Sequence, residues 1–285
     1  MLNAKLASKC NTEHQTIIKL AENLTVGGKD LLIIGGPCAV ENLIQMQEVA
    51  SNLAAAPVQV IRGGVYKPRT SPYAFQGLGE AGLKILKNVR DRYHIPVITE
   101  VMAIGQIENI VSYVDILQIG SRNMQNFDLL KAVGKAGKPV VLKRGLAATI
   151  EEFVLAAEYI LSHGNPDVIL CERGIRSFDN YTRNVLDLGA VVALKQITHL
   201  PVIVDPSHAA GKWELVAGLA RAAVAAGADG IMVECHPEPE KSVSDARQAL
   251  SLPDMVNLVH NLRPVAAAVG RRVLVNENQR QLSVA

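Results

Sequence analysis

The sequence predicts a (β/α)8 TIM barrel, and three observations support that fold. Eight short apolar runs alternate with segments of helical periodicity along the whole chain. The runs contain few polar positions, which is typical of parallel strands buried on both faces. Each run ends in charged, Cys, His or Gly residues, and the carboxyl ends of barrel strands meet at the face that carries active sites.

The predicted strands and helices alternate along the chain. The strands are LLIIGG from residue 31, VQVIRGG from 58, PVITE from 96, DILQIGSR from 115, PVVLKRG from 139, VILCERG from 168, PVIVDPSH from 201 and GIMVECHP from 230. Segments with helical periodicity lie between them, for example 43–53, 79–89, 128–136, 150–161, 184–197 and 213–226. Eight such units fit a closed barrel better than an open doubly wound sheet.

The chain length of 285 residues fits one barrel, because that fold uses about 250 residues for a single domain. We therefore predict one domain over 1–285, with 1–28 an N-terminal extension and 270–285 a C-terminal tail. A helix is expected at 13–24, where it would cap the lower end of the barrel, and an appended helix at 255–268. The tail from Arg271 is expected to be poorly ordered or to form a subunit contact.

The composition is that of a globular protein with an aliphatic core, since 49% of residues are hydrophobic and only 4% aromatic. Basic and acidic residues number 29 and 27, and the net charge of +2 argues against a nucleic-acid or membrane-binding surface. The four cysteines are too scattered for a disulfide framework, and the N-terminus lacks the apolar core of a signal peptide. These features predict a cytoplasmic protein.

Four residues with metal-binding side chains follow the ends of the first, seventh and eighth predicted strands: Cys38, His208, Glu234 and, in the loop beyond, Asp245. The first and eighth strands are neighbours in a closed barrel, so these side chains can meet. Their S, N and O donors suit a divalent transition metal. Each residue alone is more often a buried thiol, a loop histidine or a solvated acid, but all four at one barrel end favour a metal site.

A second set of strand-end residues is basic: Arg62, Lys67, Arg69, Arg122, Lys143, Arg173 and Arg176. Any one of them can pair with an acid such as Glu100 or Glu172, but the cations outnumber the acids at these positions. The excess predicts a pocket for a multiply anionic ligand. Lys143 can alternatively form a Schiff base, although we favour an anion anchor that meets ligand and not a buried acid.

The motifs at these strand ends carry a family resemblance. They are GPCAVEN from residue 36, RGGVYKPRTSPYAFQG from 62, IGSRNMQN from 119, VLKRG from 141, CERGIRSF from 171, DPSHAAG from 205 and VECHPEPEKSVSDARQAL from 233. Together they resemble 3-deoxy-D-arabino-heptulosonate 7-phosphate (DAHP) synthases of the compact type I beta group. The resemblance implies condensation of phosphoenolpyruvate with D-erythrose 4-phosphate, the first step of the shikimate pathway.

The resemblance also implies roles for individual residues. The metal, one divalent ion of Mn, Fe, Co or Zn, would be held by Cys38, His208, Glu234 and Asp245. Phosphoenolpyruvate would be bound by Arg62, Lys67, Glu100, Ser121, Arg122, Lys143 and Arg173. Erythrose 4-phosphate would be bound by Lys67, Pro68, Arg69, Thr70 and Asp205. Lys67, between the two substrates, would transfer a proton, and Cys38 and His208 would act in catalysis as metal ligands.

Several alternatives stay open. The related 3-deoxy-D-manno-octulosonate 8-phosphate synthases use arabinose 5-phosphate, but they carry a KANRS-like sequence where this chain reads KPRTS from residue 67. A Schiff-base aldolase and a non-catalytic barrel that binds a phosphorylated metabolite are more distant readings. The resemblance implies a homotetramer or homodimer, with a chorismate mutase as a candidate partner. Because 1–28 is short, no feedback inhibition by phenylalanine or tyrosine is expected.

Overall fold

The structure, a computed structural model, describes residues 3–274. Its strands are β1 (Ile18–Ala21), β2 (Leu24–Val26), β3 (Leu32–Gly36), β4 (Val60–Arg62), β5 (Val97–Val101), β6 (Ile116–Ile119), β7 (Val140–Lys143), β8 (Val168–Glu172), β9 (Val202–Val204), β10 (Gly230–His236) and β11 (Leu250–Ser251). Its α-helices are α1 (Leu43–Ala55), α2 (Glu80–Tyr93), α3 (Ile107–Val111), α4 (Phe127–Val133), α5 (Ile150–Leu161), α6 (Leu188–Ile197), α7 (Pro206–Ala210), α8 (Trp213–Ala225) and α9 (Leu252–Ala268).

Strands β3 to β10 form a closed parallel barrel, which confirms the predicted fold. Each strand pairs in parallel with the next, and β10 pairs with both β9 and β3. The closing register aligns Gly230 with Leu32 and Glu234 with Gly36. The carboxyl ends of these strands therefore surround one opening, which we call the barrel mouth.

All eight predicted barrel strands are present, and the helices predicted between them correspond to α1, α2, α4, α5, α6 and α8. Helix α6 begins later than predicted because Asn184 N donates to Ala209 O at 2.8 Å, and Asp187 instead caps the helix by accepting from Ala190 N at 2.8 Å. The five-residue helices α3 and α7 were not predicted. Their apolar periodicity is too short to be read from the sequence.

Inside the barrel, an apolar layer lies below a polar one. The apolar layer consists of Ile34, Val60, Ile98, Ile116, Val141, Ile169, Ile203 and Met232. Two residues further along each strand stand Gly36, Arg62, Glu100, Gln118, Lys143, Cys171, Asp205 and Glu234. Strand side chains alternate with a period of two, so the same face that packs the interior delivers these groups to the mouth.

The N-terminal segment is a β-hairpin, so the helix expected at 13–24 is wrong. β1 and β2 pair antiparallel, and Ile18, Leu20, Leu24 and Val26 are buried against the apolar layer of the barrel. The cause is a period-two apolar pattern on both sides of a turn, which suits a half-buried hairpin and not a helix face. The hairpin closes the end of the barrel opposite the mouth.

The C-terminal segment packs against this closed end. Helix α9 confirms the predicted appended helix, and Arg272 N then donates to Lys29 O at 3.0 Å. Arg271 pairs with the buried Asp229 at 2.6 Å, so the expectation of poor order is wrong for these first residues of the tail. The rest of the predicted tail, 275–285, lies outside the described residues. The single-domain assignment stays a prediction.

No helix between residues 3 and 274 is long and apolar enough to cross a membrane.

The hairpin supplies the first testable prediction. Ile18 is fully buried in the interior cluster, whereas its neighbour Ile17 is 61% exposed. Ile18→Ala should lower the free energy of unfolding by about 2–4 kcal/mol, because it leaves a cavity under the barrel. Ile17→Ala, the matched control, should cost roughly 0.5 kcal/mol or less. Urea unfolding measures both, and equal effects would show that the hairpin does not seal the core.

Candidate active site

A cavity of about 510 Å³ opens at the barrel mouth. Among its lining residues are the predicted Arg62, Lys67, Pro68, Arg69, Thr70, Glu100, Ser121, Arg122, Lys143, Arg173, Arg176, His208 and Asp245. The other predicted site residues, Cys38, Asp205 and Glu234, contact this lining from below and are at most 2% exposed. The structure thus brings every predicted site residue to one place.

The four predicted metal-ligating side chains form a compact group. One donor atom each from Cys38, His208, Glu234 and Asp245 can be chosen so that all lie within 4.8 Å of one another. Cys38 Sγ donates to Asp245 Oδ2 at 3.1 Å, and His208 Nε2 lies 3.3 Å from Glu234 Oε1. Glu234 Oε1 is buried without a hydrogen bond, although Arg62 lies 3.0 Å away. This donor set fits one divalent cation.

Helix α7 orients His208 toward this group. Asp205 caps the helix by accepting from His208 N at 2.9 Å, and its Oδ2 also lies 2.7 Å from His208 Nδ1. With Nδ1–H donated to a carboxylate, Nε2 is the free acceptor that faces Glu234. Burial lowers the pKa of His208 despite Asp205 and Glu234, which keeps the ring in the neutral form that a metal ligand needs.

Cys38 is held as a thiol in the absence of a cation. Burial, reinforced by Glu234, raises its pKa to about 12, while Lys67 acts in the opposite direction. Lys67 Nζ donates to both the Sγ and the carbonyl oxygen of Cys38 at 2.9 Å. A coordinating divalent cation would favour the thiolate strongly, so the thiol proton and the cation compete for this sulfur.

The acids of the site stay ionised although they are buried. Burial disfavours the Asp245 carboxylate, but His208 and Arg183 outweigh it and hold the pKa of Asp245 below its ordinary value. Likewise, His208 and Lys143 overcome burial and hold the pKa of Asp205 well below its ordinary value. Both groups therefore offer negative charge to a cation at neutral pH.

The basic residues divide into two groups. In the first, buried cations pair with buried acids: Arg62 Nη2 lies 3.0 Å from Glu234, and Lys143 Nζ contacts Asp205. The expectation that Lys143 avoids a buried acid is therefore wrong, because Asp205 stands at the matching inward position of β9. The same pair occupies the amine that a Schiff-base mechanism would require.

The second group has no acidic partner among the described residues. Arg69 Nη1 donates to Ser244 Oγ at 2.6 Å, and Arg173 makes only a 3.4 Å contact with Gly174 O. Arg122 and Arg176 make no side-chain hydrogen bond or ion pair within residues 3–274. In addition, Nε and Nη1 of Arg62 are buried without partners. These donors leave the mouth with an excess of positive charge for an anionic ligand.

An outer ion pair supports the inward side chains. Arg144 Nη1 donates to Glu172 Oε2 at 2.9 Å and to Asp187 Oδ2 at 3.0 Å. Glu172 Oε1 also accepts from Gly174 N at 2.6 Å. Because strand residues alternate, this outward pair between β7 and β8 fixes the directions of the neighbouring Lys143 and Arg173.

Several residues of the mouth were not predicted from the sequence. Gln118 donates to Glu100 Oε2 at 3.4 Å, and its inward position two residues after Ile116 was a usable signal. Arg183 and Asn184 line the cavity from the irregular segment before α6, where no periodicity marks them. Gln248 donates to Glu234 Oε2 at 2.5 Å from the loop after β10.

The family comparison rests on most of the chain. The sequence model described as the DAHP synthetase I family matches residues 15–269. The chain belongs to this family. That result confirms the resemblance carried by the strand-end motifs and the predicted DAHP synthase function.

Individual members of the family give the same picture. A phospho-2-dehydro-3-deoxyheptonate aldolase of Thermotoga maritima is 49% identical over 269 residues, which cover 94% of this chain and 79% of that protein. A 2-dehydro-3-deoxyphosphooctonate aldolase of Geotalea uraniireducens is 34% identical, with 87% of this chain and 97% of that protein covered. The octulosonate-type relative is therefore the more distant of the two.

Solved structures agree with the fold. The crystal structure of the Thermotoga maritima DAHP synthase superimposes with a TM-score of 0.92 at 46% identity, covering 96% of this chain and 80% of that chain. A truncated form of the same enzyme superimposes with a TM-score of 0.88 at 44% identity, covering 95% of this chain and 99% of that one. Both support the barrel assignment in this family member.

The two groups of basic residues should contribute differently to the free energy of unfolding. Lys143→Ala leaves Asp205 buried with one partner fewer, and the free energy of unfolding should fall by roughly 3 kcal/mol. Arg122→Ala removes an exposed side chain that makes no hydrogen bond or ion pair with the described part of the chain, and it should change the free energy of unfolding by about 0.5 kcal/mol or less. Denaturant unfolding of both variants without ligand tests this contrast. A neutral Lys143→Ala would mean that the pair with Asp205 adds nothing to stability.

Proposed function

We propose that this family member condenses phosphoenolpyruvate with D-erythrose 4-phosphate to give DAHP and inorganic phosphate. The observation that carries the proposal is the arrangement at the mouth: a four-residue donor set for one cation lies beside guanidinium groups that have no acidic partner within residues 3–274. Two phosphorylated substrates bring several negative charges, and this cage supplies the matching donors. The identity of 49% to the Thermotoga enzyme supports the same conclusion.

We assign phosphoenolpyruvate to the deep part of the cage. Arg62 offers two buried donors without partners there, and Arg173 offers a guanidinium that is 5% exposed. Lys143, Ser121 and Arg122 line the same wall. A rigid, preorganised cage holds the enol carbon in reacting geometry, which can be worth about 7 kcal/mol or more.

Glu100 completes this wall as an ordering group. Its carboxylate lies so close to Gly120 that a Cβ there would come within 2.0 Å of Oε1. A side chain at position 120 would therefore displace the Glu100 carboxylate from its present position. The carboxylate would then orient water or the ammonium group of Lys67.

The donor set of Cys38, His208, Glu234 and Asp245 is proposed to hold one divalent ion, of Mn, Fe, Co or Zn. When bound, such an ion polarises the aldehyde oxygen as a Lewis acid. The reaction adds water at C2 of phosphoenolpyruvate, joins C3 to the aldehyde carbon and releases phosphate by C–O cleavage.

Lys67 is our candidate for proton transfer near the new bond. Burial disfavours its ammonium form, but Cys38, Glu100 and Glu234 outweigh burial and raise the pKa of Lys67. The group is therefore charged at neutral pH and can donate a proton to the oxygen that develops from the aldehyde. Because Lys67 Nζ contacts Cys38 Sγ, this ammonium group lies beside the proposed metal ligands.

The segment from Lys67 to Thr70 is proposed to select erythrose 4-phosphate. Pro68 restricts the backbone, and Arg69 and Thr70 line the cavity nearer to the solvent than Arg62. Arg69 is anchored on Ser244, the neighbour of Asp245, so the phosphate anchor stands at a fixed distance from the donor set. Asp205 supports the same site from below through Lys143 and His208.

We propose a homo-oligomeric assembly and a cytoplasmic location. Side chains such as Ile44, 78% exposed, and Phe178, 101% exposed, favour burial in a homodimer or homotetramer. The free, buried thiols of Cys38, Cys171 and Cys235 favour a reducing cytoplasm. A chorismate mutase partner would also suit contact with these exposed apolar side chains.

Removal of the metal should abolish turnover. Cys38→Ala should lower phosphate release by about 100-fold or more, because it deletes a ligand of the proposed ion. Cys10→Ala changes an exposed thiol far from the mouth and should retain wild-type activity. Turnover is assayed with metal content measured by mass spectrometry. Full activity in protein verified to be free of metal would contradict the proposal.

The aldehyde anchor gives a kinetic prediction. Arg69→Ala should raise the KM for erythrose 4-phosphate by about 10–100-fold, since it removes a charge-assisted contact worth about 1.5–3 kcal/mol. The KM for phosphoenolpyruvate should change by roughly 2-fold or less. Wild-type kcat/KM should also favour erythrose 4-phosphate over arabinose 5-phosphate. Better use of the longer sugar would support the octulosonate alternative, and absence of turnover would support the non-catalytic one.

A further inference from the structure

Arg183 connects two of the proposed metal ligands from outside the donor set. Its Nη1 donates to Asp245 Oδ1 and to Gln248 Oε1, both at 3.1 Å. Gln248 Nε2 in turn donates to Glu234 Oε2 at 2.5 Å. One guanidinium nitrogen thus contacts one acid directly and reaches the other through a single amide.

Each contact occupies the carboxylate oxygen that does not face the donor set. Asp245 Oδ2 faces inward, 3.1 Å from Cys38 Sγ and 3.9 Å from His208 Nε2, while Arg183 holds Oδ1. Glu234 Oε1 faces inward, 3.3 Å from His208 Nε2, while Gln248 holds Oε2. Both acids therefore present one oxygen to a cation.

Arg183 also fixes the orientation of the Gln248 amide. The guanidinium can only donate, so it requires the amide oxygen on its side. The amide nitrogen is then turned toward Glu234, where it can donate to an ionised carboxylate. In the reverse orientation, an N–H would face Arg183 and a carbonyl oxygen would face Glu234, and both contacts would be repulsive.

The backbone of Arg183 is attached to the element that carries the third ligand. Arg183 N donates to Ala210 O at 3.0 Å, at the end of α7, and Asn184 Nδ2 donates to His208 O at 3.1 Å. The side chain of Arg183 therefore reaches Asp245 from a position fixed relative to His208. Asp245 itself adopts a left-handed conformation with φ of 55°, which its side-chain contacts help to maintain.

We propose that Arg183 is a positioning residue that makes Asp245 and Glu234 bind the cation through one oxygen each, and so sets the affinity and coordination number of the site. The inference rests on the metal site proposed above. Outer contacts of this kind typically change metal affinity by about 10–100-fold when they are removed. Without Arg183, both carboxylates become free to rotate and to offer both oxygens.

The test measures Mn2+ binding to metal-stripped protein by the electron paramagnetic resonance signal of the free ion. Arg183→Met should weaken binding by about 10–100-fold, and Gln248→Leu should act in the same direction. The double variant should be no weaker than the worse single variant by more than about 3-fold, because the two residues form one chain of contacts. Arg247→Met, an exposed arginine in the same loop, is the charge-matched control and should bind like the wild type.

The visible spectrum of the Co2+-loaded protein provides a second readout. Bidentate carboxylates raise the coordination number and weaken the visible absorption bands, so Arg183→Met should show lower intensity than Arg247→Met. If Arg183→Met does not fold by circular dichroism, Gln248→Leu tests the same contact to Glu234. Wild-type Mn2+ affinity together with an unchanged Co2+ spectrum in Arg183→Met, or in Gln248→Leu where that variant stands in, would overturn the inference. Failure of the wild type to bind Mn2+ or Co2+ would overturn the proposed metal site as well.

Discussion

Charge pairing inside the polar layer of the barrel is the interaction on which the site depends. Arg62 pairs with Glu234 and Lys143 pairs with Asp205, and all four side chains are at most 5% exposed. An isolated charge at such depth would be strongly destabilising. Within each pair, the attraction between cation and acid offsets the desolvation cost of burying both charges. The two acids then meet at His208, one at each ring nitrogen. The basic residues of the mouth and the four-residue donor set are therefore electrostatically coupled, and they form one site and not two adjacent ones.

This unit exists because the barrel is closed and filled below it. The apolar layer and the hairpin of β1 and β2 exclude water from the floor of the site. In such surroundings, ion pairs and hydrogen bonds are stronger than in water, and an unpaired donor is costly. The Nε and Nη1 donors of Arg62, which have no partner among the described residues, are consequently available to bind an anion.

The sequence predicts the structure correctly where a short-range pattern of apolar and polar residues defines an element. Strand ends are visible as apolar runs that stop at a polar residue, and closure of the barrel brings such ends together, which is why Cys38 and Glu234 could be grouped across the chain. Pairing between side chains has no comparable signal. The partners Lys143 and Asp205 are 62 residues apart, and both Arg183 and Asp245 stand in irregular segments. The hairpin was misread because its strands are only four and three residues long. Each strand has only two buried apolar residues, so the period-two pattern becomes clear only when both sides of the turn are compared.

The closed end of the barrel also determines where other polypeptides can be joined to this fold. The segment between β2 and β3 meets the residues after α9 there, since Leu31 N donates to Arg272 O at 2.9 Å and Arg272 N donates to Lys29 O at 3.0 Å. Both junctions lie on the side opposite the mouth. A domain fused before the hairpin or after Arg272 can thus be gained or exchanged during evolution without crossing the path of the substrates. The barrel can therefore accept an additional domain at its closed end without change to the residues of the mouth.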